Sequence, residues 1–225
     1  MTAFAWPEET LPPLAIGAFV DVRTITPGPA LDGTELIGAT SAGVWRIVLD
    51  RVAVNSLARR LIWEAVRARL KGRSGLCQVP LYRGPVAPWP SIAGGRRTEV
   101  TFADGARFSD GTAFYQQRIV VTAAAASAGA TTVVLTQVSG SRIGEGHVFG
   151  VGADRAYEIA AVTSRAGSVV ACTISPPLRA ALASGTRVDF ERPRVRCRLE
   201  TDDGMAAAFE AGRFAAPSVR FVEVL

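Results

Sequence analysis

The chain has 225 residues, 48% of them hydrophobic and 20% charged, with 22 glycines and 13 prolines; that balance excludes an intrinsically disordered chain and, with many Val, Ile and Thr residues, disfavours a helical bundle. The net charge is +5 and the pI about 9.7, yet Lys71 is the only lysine and acidic residues are interspersed, so specific nucleic-acid binding is not expected. Cys77, Cys172 and Cys197 are too few and too widely spaced for a disulfide framework or a paired-cysteine metal site, and read as reduced core thiols.

Residues 1–14 carry Pro7, Pro12 and Pro13, the composition of an extended arm that often packs on a neighbour, feeding a first strand over 16–23. No basic segment followed by an apolar one opens the chain, so synthesis in a cytoplasm is expected without export. Residues 44–52 alternate Trp45, Ile47 and Leu49 with Arg46, Val48 and Asp50, the period of a strand with one face in a core.

The spacing then predicts the one strong helix, over about 56–71. Ser56 serves as N-cap, Leu57, Leu61, Trp63, Val66 and Leu70 form an apolar stripe, and Gly72 ends the helix in a left-handed conformation. Arg59, Arg60, Arg67, Arg69 and Lys71 crowd its other side. That side is either solvated or a contact for an acidic neighbour, with Arg59 and Arg67 as candidate interface residues.

A strand over 76–82 follows, and then a proline-fixed loop, 84–90, carrying Trp89. Trp89 is either a binding anchor or folded back on the sheet edge. Between 119 and 192 the texture turns to Ala, Val, Thr and Gly, with strand-like segments at 132–135, 156–162, 169–174 and 187–190: a small inserted β-barrel or sandwich module. Residues 119–141 carry no charge but are interrupted by Thr, Ser, Gly and Gln, so membrane insertion is not expected. The final strand, 217–225, reads as buried on both faces and completes the first domain. The expected fold class is therefore mostly β (α+β), an antiparallel β-sandwich with one helix packed on it. Residues 1–118 with 193–225 form the first domain and 119–192 the inserted one.

No catalytic constellation is visible. His147 is the sole histidine and reads as a structural or surface residue, and no phosphate-binding loop, zinc helix or dinucleotide fingerprint occurs. Asp104-Gly105 and Asp110-Gly111 suit hairpin turns better than calcium, which needs more carboxylates than two. A non-enzymatic protein without metal or cofactor is the expectation.

The most informative charge pattern is Arg192, Arg194, Arg196 and Arg198. In a strand these line one side while Val195, Cys197 and Leu199 enter a core. Aligned guanidiniums repel unless water or carboxylates intervene, so this row is solvated, is an intersubunit contact, or lines a channel through a ring.

Several segments, in order, resemble a family: Gly43-Val-Trp-Arg46; the helix end 65–75 leading to Val79-Pro80; Phe108-Ser-Asp-Gly-Thr-Ala-Phe-Tyr-Gln116; Ser175-Pro-Pro-Leu-Arg179 with its continuation to 186; and Gly212-Arg-Phe214 with its continuation to 223. Over most of the chain this pattern resembles the phage tail proteins at the distal end of a siphophage tail tube. The resemblance implies a distal tail or baseplate hub component in the virion tail tip, made in the host cytoplasm. Such a component is usually a hexameric ring of β-sandwich domains that joins the tail tube protein to baseplate hub and tape-measure proteins and to the host-recognition apparatus. The alternative is a carbohydrate-binding host-adhesion module, with Trp89, Tyr115 and Tyr157 as stacking surfaces for a host surface glycan.

Overall fold

The computed structural model describes residues 3–22, 24–25, 28, 38–39, 43–81, 87–89, 98–100, 109, 114–116, 119–209 and 215–225. The fold is mostly β, with one α-helix among the described residues and a closed six-stranded barrel. A six-stranded sheet runs in the order β1 (Phe4–Ala5), β6 (Cys77–Pro80), β15 (Arg194–Leu199), β16 (Val219–Glu223), β5 (Val44–Val52), β2 (Pro13–Asp21). Neighbours are antiparallel except β1 and β6. Two short pairs, β3 (Thr24–Ile25) with β4 (Gly38–Ala39) and β7 (Thr98–Val100) with β8 (Phe114–Gln116), lie apart from it.

The barrel closes in the order β10 (Thr132–Ser139), β13 (Val169–Ser175), β12 (Arg155–Ala166), β11 (Val148–Val151), β14 (Thr186–Asp189), β9 (Val120–Ala123). Closure comes from β9 pairing with both β10 and β14, which leaves no free edge. Phe149 fills the interior between Tyr157 and Phe190, at ring-centroid distances of 5.7 and 5.5 Å.

The alternation in β5 holds: Trp45, Ile47, Leu49 and Val52 are buried. β2 starts earlier than expected, because Pro13 already pairs with Val52, and it ends at Asp21 opposite Val44; the expected Arg23 lies outside the described residues, as does Tyr82 at the end of the next strand. β16 is buried on one face and not both: Val219, Phe221 and Glu223 face the core, whereas Arg220 is exposed and Val222 half-buried. The N-terminal arm packs on its own chain. Trp6 is buried edge-on against Trp63 and Phe221, at 6.5 and 5.8 Å, and its indole N–H donates to the Leu11 carbonyl at 3.1 Å.

Helix α1 (Leu57–Leu70) crosses the same face of the sheet. Ser56 Oγ accepts the Arg59 N–H at 3.2 Å, the expected N-cap. Lys71 is the first left-handed residue, with φ 47° and its N–H on the Arg67 carbonyl at 3.1 Å; Gly72 follows at φ 62°. A Cβ at Gly72 would stand 2.8 Å from Asp202 Oδ1, so that side chain, which accepts the Arg73 N–H, would have to shift.

The rotation of α1 corrects the expected stripe. Trp63, Val66 and Leu70 enter the core, whereas Leu57 and Leu61 are 60% and 62% exposed. At 100° per residue, Leu57 and Leu61 fall opposite Trp63, and the Trp side chain has the larger apolar surface to hide. Nor do the arginines occupy the outer face: Ala58, Ala65 and Ala68 share it with the two leucines, and the cations flank it.

Candidate interaction surfaces and the joint between sheet and barrel

The alternation in β15 sorts its side chains by face. Val195, Cys197 and Leu199 are buried in the core that also holds Trp63 and Leu70, while Arg194, Arg196 and Arg198 lie half-buried on the sheet's other side. Arg192 lies outside the strand, beyond Pro193, exposed and with its backbone N–H on Asp189 Oδ1 at 3.0 Å. The expected row of four is three on the strand and one in the preceding turn.

Carboxylates of the same chain separate these charges. Arg194 Nη2 lies 2.5 Å from Glu8 Oε1, and Arg196 Nη1 lies 3.8 Å from Asp154 Oδ2. Asp154 is fixed in turn by Gln78 Nε2, which donates to its Oδ1 at 2.8 Å, and its carbonyl accepts the Arg196 N–H at 2.8 Å. On β5, Arg46 Nε donates to Asp21 Oδ2 at 2.6 Å and its Nη1 to Glu200. The Asp21 hydrogen bond is the main cause holding the Arg46 pKa above the ordinary guanidinium value. The side chains of Arg198 and of Arg220, which lies diagonally across from it on β16, have no hydrogen-bond or ion-pair partner among the described residues.

Arg59 and Arg67 are on α1, across the sheet from this face. Arg59 Nη1 donates to Asn55 Oδ1 at 2.8 Å, and Arg67 Nη2 lies 2.6 Å from Glu64 Oε2. The candidate arginines thus fall into two groups on opposite layers. Arg192 and Arg194 also line a cleft of about 280 Å³ with Glu8, Glu9 and Thr10. Its Glu8 carboxylate is already bound to Arg194.

Trp89 packs back. Its ring is half-buried against the barrel core, its carbonyl accepts from Ser141 Oγ, and Pro88 accepts the Ser141 N–H at 2.9 Å. Tyr157 is buried in the barrel, so its ring offers no stacking face, and burial raises its pKa. The side chain of Tyr115 and the residues Asp104, Gly105, Asp110 and Gly111 lie outside the described residues. His147 closes a turn before β11: its Nδ1 accepts the Gly144 N–H at 2.8 Å. Among the described residues no group of three or more His, Cys, Asp or Glu could hold a metal ion, and no helix is long and apolar enough to cross a membrane.

A buried polar joint ties the barrel to the sheet. Arg179, in the loop between β13 and β14, reaches Glu223 on β16 and the Gly43 carbonyl, while its backbone N–H donates to the Tyr157 hydroxyl at 3.0 Å. The Trp45 N–H donates to Glu223 Oε2 at 3.0 Å, and the Trp45 indole N–H to the Ala156 carbonyl at 2.8 Å. The Glu223 carboxylate, both Trp45 N–H groups and Arg179 Nε and Nη2 therefore each have a partner at this joint, which ties the barrel to the sheet.

No protein-family model matches the chain, and no curated protein matches it.

Proposed function

We infer that the chain is a non-catalytic structural subunit of a phage or phage-like tail tip, assembling with copies of itself into a ring that joins the tail tube to the baseplate. The resemblance of its ordered segments to distal tail proteins supplies the biological setting, with tail tube, baseplate hub and tape-measure proteins as neighbours and six as the expected ring order.

One geometric observation carries the assembly reading. Among the described residues β2 forms the outer edge of the six-stranded sheet over nine residues that contain no Lys or Arg, with Leu14 62% and Phe19 54% exposed. Edge strands of monomers are blunted by charge, proline or a bulge, because their unpaired amides recruit further strands. In β2 the one proline, Pro13, stands at its start, and the lone charge, Asp21, at its end is bound to Arg46. The stretch from Leu14 to Val20 therefore carries neither device, and its apolar side chains are built to be covered. The opposite edge is the two-residue β1, too short to match it. Contact between unlike surfaces of identical copies then closes a ring when the rotation fits.

Light scattering of the purified chain over a range of concentrations, with negative-stain images, tests this. Closed rings that Phe19→Lys converts to folded monomers are the expected result. A chain that stays monomeric at every concentration and joins no tail component overturns the proposal.

A further inference from the structure

The outward face of α1 is apolar along its whole length. Leu57, Leu61, Ala65 and Ala68 fall at i, i+4, i+8 and i+11, with Ala58 beside them, and all are exposed. They form a stripe about 16 Å long at the α-helical rise. A surface helix of a finished soluble unit turns its charged residues outward and its apolar stripe inward. Here Trp63, Val66 and Leu70 already supply the inward stripe, so α1 carries a second one.

The cations that would normally solvate this face are drawn aside. The Arg60 guanidinium sits 4.8 Å from the centroid of the Phe209 ring, and that of Arg69 3.9 Å from the Phe4 ring. Arg67 is held against Glu64 at 2.6 Å. The helix and its cap hold five cations, Arg59, Arg60, Arg67, Arg69 and Lys71, against the single carboxylate of Glu64. A bare apolar strip with positive flanks results.

We propose that this face of α1 docks an amphipathic helix of a partner protein whose apolar stripe is flanked by Asp and Glu. Leu57 and Leu61 fill the partner's groove at one end, and Ala65 and Ala68 let the two backbones approach closely at the other, near the 8–10 Å axis separation of packed helices. Charge selects the occupant. A second copy of α1 would bring cations against cations along the flanks. An anionic membrane takes long faces rich in Trp, Phe and Leu, and three of the five residues here are alanines. The surface is on a different element from the β2 edge, so helix docking and ring assembly can fail independently.

The test uses the full chain and two fluorescent synthetic peptides of three heptads with leucine at the a and d positions, one with glutamate and one with lysine at the e and g positions. Anisotropy titrations are expected to show the glutamate peptide binding at least about 10-fold more tightly than the lysine peptide, with the difference shrinking as salt rises. Leu61→Glu should abolish binding while circular dichroism and melting stay unchanged. Equal binding of both peptides, or no binding of either, overturns the proposal. So does binding to phosphatidylserine vesicles that Leu61→Glu removes, or a dimer in sedimentation velocity that the same substitution disperses.

Discussion

Arg179 and Glu223 meet through two hydrogen bonds, Nε to Oε1 at 3.2 Å and Nη2 to Oε2 at 2.9 Å, with side chains only 15% and 3% exposed. Removing one member of such a buried pair strands the other. Arg179→Leu is expected to cost about 3–5 kcal/mol, because the Glu223 carboxylate stays buried with no cation against it among the described residues and the neutral Trp45 N–H as its donor. Glu223→Gln keeps one acceptor oxygen, enough for the Trp45 N–H and Arg179 Nη2, and loses the one facing Arg179 Nε, so it should cost less, about 1–3 kcal/mol. Urea denaturation of the two variants checks the order, and the reverse order would show that the pair does not hold the joint.

The two sides of α1 should respond differently to truncation. Trp63→Ala empties a fully buried site between Trp6 and the sheet and is expected to cost about 3–5 kcal/mol. Leu61→Ala, on the exposed side, should stay within about 0.5 kcal/mol. Thermal unfolding of both variants decides which leucines and aromatics belong to the core.

The thiols give a pH signature. Burial pushes Cys77 from 9.0 up to about 12 and Cys172 up to about 11, and raises Cys197 well above the usual thiol range. The folded chain therefore favours the protonated thiol. This contribution to stability is complete below pH 9 and falls as the pH rises from there towards 12. At neutral pH the thiolate is scarce and covered, so iodoacetamide should label the native chain slowly and the urea-unfolded chain at once. Rapid labelling of native Cys77 would contradict the burial.

Reversal of unpaired and paired arginines should separate assembly from folding. Arg198→Glu and Arg220→Glu touch no internal ion pair among the described residues and are expected to disperse a ring while leaving the melting temperature in place. Arg194→Ala releases Glu8 and should lower stability by up to about 1 kcal/mol, as for a partly exposed pair. Light scattering beside a melting curve reads both effects, and rings that survive the double reversal would remove Arg198 and Arg220 from the contact.

The strands were legible where one face is buried. Trp45, Ile47 and Leu49 in β5, and Val195, Cys197 and Leu199 in β15, alternate with residues that are polar apart from Val48, and alternation is a local property. The rotation of α1 was not legible, because Leu57 and Leu61 on one side and Trp63, Val66 and Leu70 on the other both satisfy helical spacing. The three alanines beside the two leucines were the available clue to the outer face. The joint was missed for another reason: Arg179 and Glu223 lie 44 residues apart, in a loop and a strand, with no shared pattern. A signal did exist, since Glu223 has the parity of Val219 and Phe221 and so had to point inward.

Chain entry to the barrel and exit from it lie side by side. β9 and β14 are hydrogen-bonded neighbours, and the Ile119 N–H reaches Glu191 Oε1 at 3.4 Å. The whole cylinder is thus strung on a single narrow neck, and beyond the neck it is held to the sheet by side contacts, Asp154 on Gln78 and Arg196, Ala156 on Trp45 and Arg179 on Glu223. A replacement lacking all of these contacts would swing on that neck, so of the appendages traded at this position only those that also grip the strands beneath would be held at a set angle.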